Sequence, residues 1–395
     1  MKNNRNGAHT AISAVCAALF VVITFLYFYS FQGDILGMMQ YSWSDHQTSY
    51  DRLAGGVIFT ALALLVKIIT SAILSFPTRL QALSYFPAMM LSGVVTSGTV
   101  DDNGQVSISW RLICLAIVLL LLFPVVVSHL NRYYSYNNPF RDTHSSVAEW
   151  RSNILVLLLS MVVMYSIGNT DRTLHTRLAV ERLCHEGKYD EALDYGIPMY
   201  DHDMALTMWR AYALSRQSSS SATTNMGEHL FNYNIGNKQS TLLPRSSGEP
   251  HALLRDCYPI WQSLGFVPRN IDESPVTYLR RELRRGTARP AAKDYLLCTM
   301  LIDKDLDTFV DFLPRYYDSN HELPQHYAEA LIIYKSRHRD ANYHKSLDSL
   351  KVGEAVKADY YDFLQLLRSK KTMHAKQADI KDNYFGTYWY YYYKR

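Results

Sequence analysis

Residues 153–168, NILVLLLSMVVMYSIG, carry no formal charge and divide the chain into two halves of different character. With its flanks the run is about 17 residues long, just enough to cross a bilayer's hydrocarbon core. Trp150 stands at one end, where an amphipathic ring favours the headgroup level. The sequence before this run has membrane-like composition. The sequence after it is polar and carries the spacing of short amphipathic helices.

The chain has 395 residues, enough for two domains, and 48% of them are hydrophobic. The long uncharged runs lie before Gly168, and most of the charge lies after it. A net charge of +4 is too small for a nucleic-acid footprint, so no nucleic-acid partner is expected. The 30 tyrosines supply amphipathic packing surface. Cys16, Cys114, Cys184, Cys257 and Cys298 have no metal or redox spacing and read as small buried thiols. In an oxidising compartment a Cys257–Cys298 disulfide is the one pairing considered.

Lys2 and Arg5 precede an apolar run too long for a signal-peptide core, and no small-x-small cleavage site follows it. It is expected to be a retained first span, about 9–30. Further spans are expected at 53–76, 80–98, 111–130 and 151–168. Pro124 is tolerable in a membrane helix whose neighbours satisfy the freed carbonyl. Segment 80–98 is only moderately apolar, and arginine placement decides its reading. If it spans, Arg79, Arg132, Arg141 and Arg151 share the side of the amino terminus, and only Arg52 and Arg111 lie opposite. If it does not, that asymmetry vanishes. The expectation is a bundle of about five transmembrane helices over 1–168, amino terminus in the cytoplasm. Residues 169–395 then lie outside it, which in a bacterial inner membrane means the periplasm.

Within the apolar half, Lys67 is the one charge well inside a span, close enough to an end to snorkel. The loop 32–51 holds Asp34, Asp45, His46 and Asp51, for which a solvated loop is the plainer reading than a metal site.

Beyond Thr170 strand signals are almost absent. GKYDEALDYG, 187–196, resembles the centre of a tetratricopeptide repeat: Gly187 for a sharp turn, Tyr189 packing across a helix pair, Ala192 allowing close approach. The closing proline of that repeat is missing, with Met204 near its place. Helices are also expected near 251–264, from Pro275 to a stop at Gly286, as a pair turning at 303–305, and after Pro324. The helix around 358–370 is expected to be the last long one. The fold class expected is therefore all-α, a membrane bundle followed by a soluble tetratricopeptide-like solenoid over 169–395. Within it, RRELRRG sets Arg280 with Arg284 and Arg281 with Arg285 on one helix face, a candidate contact for a partner's acids or anionic headgroups. The end, YFGTYWYYYYKR, is either an aromatic strip packed on the last helices or an exposed contact.

The pieces LSYFPAMMLSGVVTSG, LPQHYAEALIIY and FGTYWYYY, in this order, resemble an uncharacterised family of bacterial multi-pass membrane proteins with tetratricopeptide-like carboxyl halves. That resemblance implies an envelope location and carries over no catalytic residue. The sequence offers no nucleophile–base pair, zinc spacing or phosphate-binding glycine loop, so no catalytic, metal or cofactor residue is assigned. The favoured reading is a membrane-anchored scaffold with a protein partner in the envelope and the lipid bilayer around its spans. The alternative is a membrane-embedded enzyme or transport accessory acting on a lipid-linked substrate.

Overall fold

Helix forms along every apolar run, because a helix satisfies its own backbone polar groups. The computed structural model describes residues 2–101, 104–136, 146–201, 203–217, 225–235, 242–244, 253–266, 274–318, 322–338, 345–369 and 372–394. They fall into two compact units, Met1–Asp171 and Arg172–Arg395.

The first unit contains α1 (Lys2–Leu26, ending in a π-turn at Tyr27–Phe31), α2 (Gly33–Trp43), α3 (Arg52–Ile73), α4 (Phe86–Val95), α5 (Trp110–Tyr136) and α6 (Ser146–Ile167). Two-residue strands β1 (Thr99–Val100) and β2 (Val106–Ser107) pair antiparallel after α4. Among the described residues four helices are long and apolar enough to cross a membrane: Ala11–Phe31, Arg52–Ile73, Trp110–Tyr134 and Val147–Ile167. Their outward side chains, among them Leu62, Ile69, Leu121 and Leu158, are exposed.

The segment expected as a span at 80–98 is not one continuous α-helix. Thr78–Tyr85 is a 3-10 helix with a non-helical Leu80, and α4 follows directly. Pro87 supplies the reason: it has no N–H to give Leu83, and its ring crowds that carbonyl, so the preceding turn tightens.

The register of this segment follows from its contacts. Ala82 N donates to Asn153 Oδ1 (2.8 Å), a Cβ on Gly93 would meet Met164 O, and Asn169 N donates to Thr96 O (2.9 Å). The pairing therefore advances in step along both chains, and the segment runs parallel to α6. The end of α1 lies at the same level: the Tyr27 hydroxyl bonds Thr96 Oγ1 (2.6 Å), and Gln32 Nε2 donates to Asn169 O (2.8 Å). The outer pieces run the other way. In α3, Phe59 stacks on Phe28 while Arg52 pairs with Asp34. In α5, Phe123 stacks on Phe86, and Asn131 Nδ2 donates to Ser75 O. Five segments thus alternate in direction.

The second unit contains α7 (Arg172–His185), α8 (Tyr189–Asp194), α9 (Met204–Arg216), α10 (Met226–His229), α11 (Tyr258–Ser263), α12 (Pro275–Arg285), α13 (Ala291–Ile302), α14 (Leu306–Tyr316), α15 (Gln325–Arg337), α16 (Glu354–Arg368), α17 (Met373–Tyr384) and α18 (Tyr388–Tyr393). One hydrophobic core runs through them, from Val180 to Tyr391. Pro275 opens α12, and Gly286, left-handed at φ 73°, closes it. Gly187 is left-handed at φ 75°, Ala192 is fully buried, and Tyr189 meets Tyr212 edge-on. Gly187 thus makes a sharp turn between α7 and α8, which has only 6 residues.

From α12 to α17 each helix packs on its chain neighbours, as in a stack of pairs. The ends break that pattern: α10 reaches α13 and α15, and α18 returns to α15. Tyr388, Trp389 and Tyr391 are buried. The tail's chemistry explains its place. The hydroxyls of Tyr388 and Tyr391 donate to Leu301 O (3.1 Å) and Ile302 O (2.7 Å), carbonyls of the last turn of α13, where Leu301 O also accepts from Lys304 N. Lys304 Nζ in turn donates to Tyr392 O and Lys394 O. No disulfide forms between Cys257 and Cys298.

Candidate functional site

The expected site residues are mostly engaged within the fold. Arg280 lies over the Phe312 ring (5.1 Å) and Arg281 over Tyr278 (4.7 Å). Arg285 pairs with Glu282 (3.0 Å), which also contacts Arg281. The basic face is thus partly neutralised from within, with Arg284 exposed beside it.

The polar groups of the first unit stay apart. Asp51 caps α3 by accepting from Ala54 N, and Asp34 pairs with Arg52 (2.5 Å). His46 lies edge-on to Tyr41. Lys67 lies over the Tyr85 ring (5.3 Å). It is also four turns along α3 from Asp51, roughly 24 Å at helical rise. Among the described residues no group of three His, Cys, Asp or Glu side chains is placed to hold a metal ion.

Three carboxylates of the second unit, Glu181, Asp294 and Glu329, are fully buried among the described residues. Glu181 on α7 takes the consecutive N–H groups of Leu253, Leu254 and Arg255, and all three reach Oε1 (2.9, 2.7 and 3.3 Å). Burial pushes its carboxyl up to about 7, against the pull of those N–H groups and Arg177. Asp294 on α13 accepts from the hydroxyls of Tyr317 (2.5 Å) and Tyr327 (3.0 Å). Burial, then the Asp294 charge, holds both phenols well above the ordinary range, so they stay donors. Cys298 lies against Tyr327, and burial raises its thiol, which makes it a poor nucleophile. Glu329 on α15 takes three donors: Gln325 Nε2 (3.1 Å), His326 Nδ1 (2.9 Å) and Tyr388 N (2.6 Å). Phe231 N donates to His326 Nε2 (3.3 Å), so both ring nitrogens are occupied.

Glu329 also forms the floor of an open cleft of about 470 Å³ between α15, α16, α17 and the start of α18. Gln325, Asp359, Asn383 and Thr387 supply its polar lining, and Val356, Leu366, Tyr384 and Trp389 its apolar walls. No spacing motif links these residues, which explains why the sequence did not group them. One signal was available: His326 and Glu329 are three apart on a helix and share a face.

Residues 269–395 match a family of unknown function (DUF6057). The matched segment takes in α12 to α18 and therefore the whole cleft. No curated protein and no solved structure matches the chain.

Proposed function

We propose that the chain is a membrane-anchored, non-catalytic binding protein of the bacterial cell envelope, holding a protein partner on its helical second unit. The observation that carries this reading is the contrast between the two units. One has long apolar helices with aliphatic side chains facing outward, which water would not tolerate at this scale. The other has its own closed core. The buried carboxylates described there are spent on backbone and phenol donors, a role in holding segments together rather than moving protons.

The first unit crosses the inner membrane five times. The broken segment 78–95 counts as a crossing because it travels beside α6 in parallel. In its irregular part Ala82, Ser84 and Tyr85 are buried against protein, the condition under which a bilayer tolerates such backbone. An odd number of crossings puts the amino terminus and residues 172–395 on opposite sides, and the arginine asymmetry favours the cytoplasm for the first and the periplasm for the second.

Crosslinking in intact membranes, followed by purification through the second unit, tests the binding role. A discrete, reproducible protein partner is the expected result. A purified chain that turns over a lipid-linked substrate with no partner bound would refute it.

A further inference from the structure

The arginines of α12 fall into two sets. Arg281 and Arg285 share Glu282, which also accepts from the Thr287 hydroxyl (2.9 Å). Arg280 and Arg284 belong instead with Arg315 of α14. Arg280 and Arg315 both lie over the Phe312 ring, at 5.1 and 4.4 Å from its centre. Their Cζ atoms are therefore less than about 10 Å apart, a Debye length at 0.1 M salt. Beside them, burial raises the Tyr316 phenol while the charges of Arg315, Arg284 and Arg280 all pull it down. Guanidinium groups from two helices thus act together at one half-buried hydroxyl. The side chains of Arg280 and Arg284 have no hydrogen bond or ion pair among the described residues, and the buried Nε of Arg280 has no acceptor. Arg315 spends its Nε–H on Asp311 O (3.2 Å). The acids of these helices act elsewhere: Glu282 on Arg281 and Arg285, and Asp307 and Asp311 on Tyr334 of α15. Like charges gathered without a paired carboxylate repel one another, and a bound anion relieves that repulsion. Contact with the Phe312 ring orients two of the guanidinium groups and leaves their N–H edges available.

We propose that Arg280, Arg284 and Arg315 form a binding site for a phosphate-bearing group, with the Tyr316 hydroxyl as a further donor. A terminal phosphate offers about three acceptor oxygens and close to two negative charges, so it meets several guanidinium groups at once, which a single carboxylate does less well. The same chemistry comes from a soluble phosphate or from a lipid headgroup. The site goes beyond the partner-binding reading and does not rest on it, since a phosphate binds whether or not a protein is captured.

Calorimetric titration of the purified full-length chain in a non-ionic detergent at physiological salt tests the site. The probes are pyrophosphate and dioctanoyl phosphatidic acid, and succinate is the carboxylate control. Saturable binding of a phosphate probe with Kd below about 1 mM is expected, with succinate at least about tenfold weaker. Arg284→Gln and Arg315→Gln should each weaken it about fivefold, and Arg284→Glu should abolish it. Both residues are exposed, so the melting temperature should not move. Arg285→Gln, which removes a guanidinium already paired with Glu282, should leave the affinity within about twofold. For the lipid, only the binding lost in Arg284→Glu is counted. Comparable affinity for the two phosphates assigns a soluble phosphate as the source, and a preference of about tenfold or more for the lipid assigns a headgroup. No saturation by either phosphate, or equal losses in Arg284→Gln and Arg285→Gln, overturns the proposal. Succinate binding as tight as pyrophosphate also overturns it, in favour of a partner's carboxylates. A partner found by crosslinking would survive each of those failures.

Discussion

Glu181→Gln isolates the most unusual charge in the second unit. The Glu181 carboxylate is fully buried, and its pKa stands at about 7 against an ordinary 4.5. For an acid, a raised folded pKa means that the folded state holds its proton longer than the unfolded chain. Its contribution to stability is then complete below pH 4.5 and is lost as pH rises to 7. The rise corresponds to about 3 kcal/mol as an upper figure. Glutamine keeps the oxygen that all three backbone N–H groups of Leu253, Leu254 and Arg255 reach, and it removes the buried charge. A fragment of residues 172–395, unfolded in urea from pH 4 to 8.5, is the assay. His185 works in the opposite sense, because burial, then Arg255, lowers it to about 4 and costs stability as pH falls below 6.5. The difference between variant and wild type cancels that contribution. The expected difference is near zero at pH 4 and grows to between 1 and ~3 kcal/mol in favour of glutamine above pH 7. Parallel profiles, or a less stable glutamine variant at pH 8, would refute the reasoning.

Further outcomes follow from packing. Ala192→Trp should destabilise the same fragment by at least ~1–3 kcal/mol, since Ala192 is fully buried where α8 approaches its neighbours. A neutral result in urea would contradict that contact. Gly93→Leu should lower the melting temperature of the detergent-solubilised chain, because even its Cβ would lie 2.8 Å from Met164 O; an unchanged melt would deny the close approach of α4 to α6. Tyr391→Phe leaves the carbonyl of Ile302 without its buried donor and should cost ~1–2 kcal/mol by urea unfolding.

What was legible in the sequence depended on whether the signal was local. Pro275 and Gly286 marked both ends of α12 because proline and glycine restrict the backbone directly. The turn at 303–305 and the start of α15 after Pro324 were readable for the same reason. Helix α17 was not foreseen: its sequence, MHAKQADIKDNY, is polar around its circumference, and none of its residues is buried. Segment 80–98 was legible as an apolar segment, whereas its tightened first half depends on Pro87 acting on the turn before it. The tail was readable as an aromatic strip, but its seat on the carbonyls of Leu301 and Ile302 joins positions too distant for any periodicity. The cleft is assembled the same way, from residues 325 to 389 on four helices.

The central claim is that five segments cross the membrane and place the second unit outside the cytoplasm. Its direct test is a pair of fusions to a reporter active only outside the cytoplasm, one after Asn138 and one after Arg395. The alternating directions of α1, α3, segment 78–95, α5 and α6 predict a silent first fusion and an active second one. A silent fusion after Arg395 with an active one after Asn138 would mean that segment 78–95 does not cross, and that the helical unit lies in the cytoplasm.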